Sequence, residues 1–217
     1  MTEGTRTRRR PAVSHSDKLR RRDEIMVAAK KVFGRNGFHN TTIADIAKEA
    51  NLAYGSVYQY FDSKDDLFDA LMTAEEYALR THVAVALAAS RGRNDKGWEP
   101  FRATVQATLE FFEADKAGTK LLLRDANALG DRFERHLTGI YERFIDDIEH
   151  NMIEAQKRGK VISAPPRMVA FSLGALIGQL AHRRLTTDDG VTAAEVADFV
   201  VSFALNGLRP RESSTGW

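Results

Sequence analysis

The 217-residue chain has no cysteine, which removes disulfides, thiolate metal sites and a cysteine nucleophile in one step. It has no apolar run long enough for a transmembrane span. No Gly-rich phosphate loop or nucleophile elbow occurs either. Nothing in the second half alternates with period two, so no sheet is expected there. The N-terminus is basic, but Ala12 and Val13 are the only apolar residues near it. A signal peptide is therefore not expected, and a soluble cytoplasmic protein with no membrane partner is. What is present is a hydrophobic share of 43%, enough for a buried core. The length suits two small domains or one larger one.

Charge is unevenly spread. Residues 1–62 hold 12 Lys and Arg against 7 Asp and Glu, whereas residues 63–217 hold 20 against 23. A basic front and a mildly acidic rear fit a nucleic-acid-facing module attached to a different kind of domain.

The stretch Thr41 to Leu67 organises the front. Thr42 with Asp45 three residues on makes a capping-box pattern, which predicts a helix from Ile43 to Ala50 with Ile46 and Ala50 turned inward. Ala47 is small where a neighbouring helix must come close. Asn51 occupies the turn, because it tolerates the left-handed conformation. Leu52 closes the turn, and a second helix from Tyr54 to Tyr60 buries Val57 and Phe61 at helical spacing. This is a helix-turn-helix pattern. The residues left facing outward are Ala53, Tyr54, Gly55, Ser56, Tyr58 and Gln59. They are short or carry hydroxyl or amide groups, and none is acidic, which suits a phosphate-lined groove.

Upstream, Asp17 to Arg35 reads as a helix with Ile25, Ala28, Ala29, Val32 and Phe33 on one face. Gly37 ends it and Phe38 plugs the core from the loop. Ser63 caps a fourth helix with Asp66 at the reciprocal position, and that helix runs to about Ala89. Lys64 in its first turn opposes the helix dipole, a placement that a bound phosphate explains.

These segments resemble the DNA-binding domain of the TetR/AcrR family of bacterial transcriptional repressors. The matching stretches are Ile25 to Phe33, Gly37-Phe38, Thr42 to Ala47, Gly55 to Phe61 and Ser63-Lys64 with Leu67, about the first third of the chain. Asn51 stands where the family usually has Gly. Tyr54 stands where it often has a small or basic residue, so base preference does not carry over. The resemblance implies a phosphate-binding role for Lys64 and a dimer. The remaining chain is similar to the family only in size and helical character.

The fold expected is all-α: a three-helix DNA-binding domain at 17–62 and a helical ligand-binding and dimerisation domain at 63–208. A disordered basic arm at 1–16 and a tail at 209–217 flank them. The arm, with Arg6, Arg8, Arg9 and Arg10, reads equally as a solubilising tail or as a DNA-contacting arm. After a break at Ser90 to Gly97, helices are expected near 98–114, 117–129, 131–158, 166–185 and 192–208. Ala170, Gly174 and Gly178 recur every four residues, and glycine is costly inside a helix unless another backbone comes close. With Val196, Phe199, Val200 and Phe203 on the next helix, the segments 166–185 and 192–208 are expected to pair in a homodimer, the alternative being tight packing within one subunit. Aromatics suggest an apolar effector pocket: Trp98, Phe101, Phe112, Phe133, Phe144 and Phe171, with Arg124 and Asn127 as polar anchors.

The function expected is a ligand-responsive repressor released from a palindromic operator by a small hydrophobic molecule. Thr42, Tyr58 and Lys64 would contact phosphates, and Tyr54, Gly55, Ser56 and Gln59 would read base edges from the major groove. A sequence-indifferent architectural DNA binder, driven by the Arg-rich arm, is the alternative. No enzyme, cofactor or metal is expected. Asp147 and His150 share a helix face, but the second such pair that a two-metal carboxylate bundle requires is missing.

Overall fold

A computed structural model describes residues 15–93, 97–116, 118–119, 131–187 and 190–208, with the side chains of residues 131–137 and 140 outside that description. Among the described residues there are eight helices and no strand: α1 His15–Asn36, α2 Ile43–Glu49, α3 Tyr54–Val57, α4 Lys64–Gly92, α5 Glu99–Ala114, α6 Asp131–Lys157, α7 Pro166–Thr186 and α8 Ala193–Leu208. None of them is long and apolar enough to cross a membrane. Residues 1–14 of the basic arm lie outside the described residues, but His15 and Ser16, expected in that disordered arm, already belong to α1. Almost all of the helix expected at 117–129 lies outside as well.

The apolar face of α1 meets α2, α3 and the start of α4. Ile25, Phe33, Ile46, Val57, Phe61, Leu67 and Met72 are each at most 2% exposed in one cluster. Full burial of each such side chain contributes about 1.5–3 kcal/mol. Gly37, at φ +76, lets the chain leave α1, and Phe38 then packs between Phe33 and Phe68. The cluster reaches Met72, so the boundary expected at residue 62 falls inside it. Helix α4 belongs to both halves of the molecule. It runs three residues beyond Ala89, where Ser90 is fully buried.

In the rear half α4 packs most extensively on α5, α6 on α7, and α8 on α5. Val105, Leu109, Phe112, Ile177, Ala181, Val196 and Val200 form a second core, flanked by Phe101, Phe111 and Phe144. Charged ties hold its rim: Arg102 pairs with Asp198, Arg184 with Glu113, and Arg167 with Glu142, Asp146 and Glu149.

The small-residue stripe on α7 divides between two faces. Ala170 is fully buried, and a Cβ at Gly174 would sit 2.5 Å from Ile145 Cδ1 on α6. These two residues serve packing within the subunit. Gly178 has open space above it. The same division runs through α8. Val196 and Val200 are 7% and 0% exposed in the subunit's own core, whereas Phe199 and Phe203 are 54% and 60% exposed.

Candidate nucleic-acid interface

Local sequence builds the interface. The capping box forms: the Asp45 backbone N–H donates to Thr42 Oγ1 at 3.2 Å, and the Thr42 backbone N–H donates to Asp45 Oδ2 at 2.9 Å. Thr42's own hydroxyl also donates to Asp45, and that bond, then the backbone one, holds the Asp45 carboxyl below its usual range. Asn51 takes φ +54, the left-handed conformation, and it is the only described non-glycine residue to do so. Its N–H bonds back to Lys48 and that of Leu52 to Ala47, which closes the turn.

Helix α3 is shorter than the sequence suggested. It ends at Val57, and Gln59 and Tyr60 continue it through bonds to Ser56 and Val57, the tighter three-residue pattern. Gly55 and the closely spaced aromatics disfavour a longer α-helix. The tightening preserves the facing, because Phe61 remains buried and its N–H still reaches Val57.

Of the outward residues expected, Ala53, Tyr54, Gly55, Tyr58 and Gln59 are exposed, as is Thr42, and Ser56 is half-buried. Tyr54 and Tyr58 form a pair: their hydroxyls lie 3.0 Å apart and their rings meet edge to face at 5.3 Å. The hydrogen bond with Tyr54 is the main cause that holds the Tyr58 hydroxyl above the ordinary tyrosine value. Nothing lies within 4 Å of where a Gly55 Cβ would be, so internal packing does not require glycine there. Lys48 is exposed, forms no ion pair among the described residues, and lines an open hollow beside the turn with Asn51, Ala53 and Tyr54.

Lys64 is not an idle first-turn cation. Its ammonium donates to the carbonyls of Phe38 and Thr41 and lies over the Phe38 ring. Two further contacts had no expectation from sequence. Arg22 covers the Phe61 ring at 4.9 Å, and Lys30 reaches out of α1 to Glu75 and Asp115.

The candidate pocket residues are less unified. Phe112 lies in the rear core, Phe101 and Phe144 border it, and Trp98 packs edge to face on Phe101. Phe171 is 39% exposed on the outer surface, against Tyr141 and under Arg167. Arg124, Asn127 and the Phe133 side chain lie outside the described residues. Asp147 and His150 are both exposed. Among the described residues no three His, Asp or Glu side chains gather as a metal site.

Residues 25–71 match the model for bacterial regulatory proteins of the tetR family. The transcriptional activator FasR of Mycolicibacterium smegmatis is 26% identical over 188 residues, 87% of this chain and 83% of FasR. The transcriptional regulator HbdR of Aromatoleum sp. is 49% identical over 47 residues, 22% of this chain and 20% of HbdR. The transcriptional regulator FadR from Bacillus subtilis, solved in complex with stearoyl-CoA, superposes with a TM-score of 0.72 at 16% identity, covering 85% of this chain and 98% of its own.

Proposed function

We propose that this chain is a TetR-family transcriptional regulator that acts as a ligand-responsive homodimer on a palindromic DNA operator. The observation that carries the proposal is the outward surface of α3. An αL turn at Asn51 leads into an exposed, acid-free row of Tyr54, Gly55, Tyr58 and Gln59. Gly55 supports close approach from outside, since it presents bare backbone on the exposed side of α3 and no internal contact among the described residues accounts for it. Tyr58 and the third N–H of Lys64 would hold phosphates, with Thr42 beside them at the α2 cap. Gln59, whose side chain makes no hydrogen bond among the described residues, would pair with a base edge such as adenine.

The aromatic rear interior suits a small hydrophobic effector, and the stearoyl-CoA in the FadR complex makes a fatty acyl thioester the first candidate. Effector and operator would each favour a different separation of the two DNA-binding domains, so each would weaken the other by one coupling free energy. Repression released by effector is the reading we favour. Activation is the second, because FasR, a relative matched over 83% of its length, is a transcriptional activator.

The test is fluorescence anisotropy with duplex DNA from upstream of the chain's own gene against a shuffled duplex. A preference for the native duplex that survives added salt, disappears in Tyr58→Ala and falls with stearoyl-CoA supports the proposal. Equal binding to both duplexes that vanishes with salt points instead to an architectural binder. A reporter strain with and without the gene decides repression against activation.

A further inference from the structure

Lys30 belongs to the DNA-binding domain, yet two carboxylates from beyond its core hold it. Its Nζ lies 2.6 Å from Glu75 Oε1 on α4 and pairs with Asp115 just after α5. The three side chains are 21%, 10% and 31% exposed. Glu75 follows Leu71 and Met72 on the buried side of α4, so a carboxylate stands where an apolar residue would continue the stripe. Such a group is costly to bury unless its cation stays in place.

The far end of the triad is equally fixed. Asp115 Oδ1 accepts the Gly118 N–H at 3.0 Å, and the Thr119 hydroxyl shares its one proton between the carbonyls of Phe112 and Asp115, 2.9 and 2.8 Å away. Thr119 itself is 1% exposed. A Cβ at Gly118 would meet Lys30 Cε at 2.8 Å, Glu75 Oε2 at 2.9 Å and Asp115 Oδ2 at 3.0 Å. The helical residues Gly118 and Thr119 therefore lie close against the triad, and a side chain at Gly118 would displace the ends of all three charged groups.

We infer that the Lys30–Glu75–Asp115 triad sets the angle between the DNA-binding domain and the rear domain, and with it the half-site spacing that the dimer accepts. This rests on the dimeric operator-binding reading above. Lys30 and Asp115 are positioning residues and lie outside the α3 surface. Without the triad the angle would rest mainly on α4, and long helices bend. Two half-sites read from a rigid duplex turn a small angular change into a register error.

The absence of native cysteine makes a clean test possible. Cysteines at two exposed positions, Asn36→Cys on α1 and Asp147→Cys on α6, take spin labels, and dilution with unlabelled chain keeps each measured pair within one subunit. Double electron–electron resonance is then recorded for the parent, Asp115→Asn and Lys30→Met, after urea melts show that each is folded. In parallel, duplexes with randomised half-site spacers are selected for binding. The expected result is a narrow distance distribution in the parent that broadens in both variants. The variants should also bind the parent's preferred duplex about tenfold more weakly, with spacers one or two base pairs off now accepted and the salt slope unchanged. Unaltered distances in folded variants overturn the inference, and so do altered distances with unaltered spacer preference. Should the parent select no duplex at all, the regulatory reading fails by itself, and the distances alone decide whether the triad sets the angle.

Discussion

Lys64 Nζ lies 4.3 Å from the centre of the Phe38 ring and donates to the carbonyl oxygens of Phe38 and Thr41, each 2.9 Å away. The relationship explains a cation in the first turn of α4, where the helix dipole opposes it. The ammonium is instead a latch that draws the loop after α1 onto α4, just before the Thr42 cap. Charge-assisted bonds to carbonyls and a ring face together contribute about 1–3 kcal/mol. Lys64→Met is therefore expected to lose that much in urea melts. Through the remaining N–H, it is also expected to lower the salt slope of DNA binding by about one. Unchanged stability would remove the latch, and an unchanged slope would remove the phosphate contact.

Asn51 at φ +54 is tolerated because its short polar side chain suits the left-handed region. Asn51→Gly is expected to be neutral or slightly stabilising. Asn51→Val is expected to lose about 1–2 kcal/mol and to weaken DNA binding, since the turn aims α3. Chemical melts of the two variants decide the matter, and equal stability would show that the turn relaxes to another geometry.

Much of the front domain was legible because its determinants are local. The Thr42–Asp45 box, the Asn51 turn and the spacing of Ile46, Val57 and Phe61 each lie within a few residues of their partners. The Lys30–Glu75 contact was not, because 45 residues separate the two. A signal for it existed in Glu75, an acid that continues the stripe of Leu67, Phe68, Leu71 and Met72. The rear faces were harder still. Helical spacing put Val196 and Phe199 in one apolar set, but which of them turns inward depends on where α5 lies, and no local pattern records that. The Gly174 position has the same character: its glycine answers to Ile145 on another helix.

The outward aromatics of α8 lead to a prediction about assembly. Phe199 and Phe203 stack with ring centres 6.1 Å apart on the surface, and Met168 on α7 is 68% exposed. An apolar face of this kind on a regulatory protein fits a self-complementary contact about a two-fold axis. Phe199→Ser with Phe203→Ser is expected to weaken the dimer at least hundredfold in sedimentation equilibrium, about 2.8 kcal/mol. Helix content and the melting of the monomer should change little, because neither ring is buried in the subunit. A double variant that stays dimeric at the same concentration would move the interface elsewhere.

The Lys30 triad also has a signature in alkali. Burial alone would lower the lysine pKa, but hydrogen bonds to Asp115 and then Glu75, with their charges, outweigh it and hold the ammonium above the ordinary 10.5. A group whose pKa is raised by folding stabilises the fold in full below its unfolded value. That contribution is lost as the pH climbs through the folded value. The window for Lys30 therefore opens near 10.5 and extends upward. The stability difference between parent and Lys30→Met should be constant from neutral pH to that point and shrink beyond it. Tyr58 and Tyr141 also have raised values, but they titrate alike in both proteins and cancel in the difference. Paired urea melts across the alkaline range provide the measurement. Parallel curves that never converge would mean that Lys30 keeps its place by packing rather than by charge.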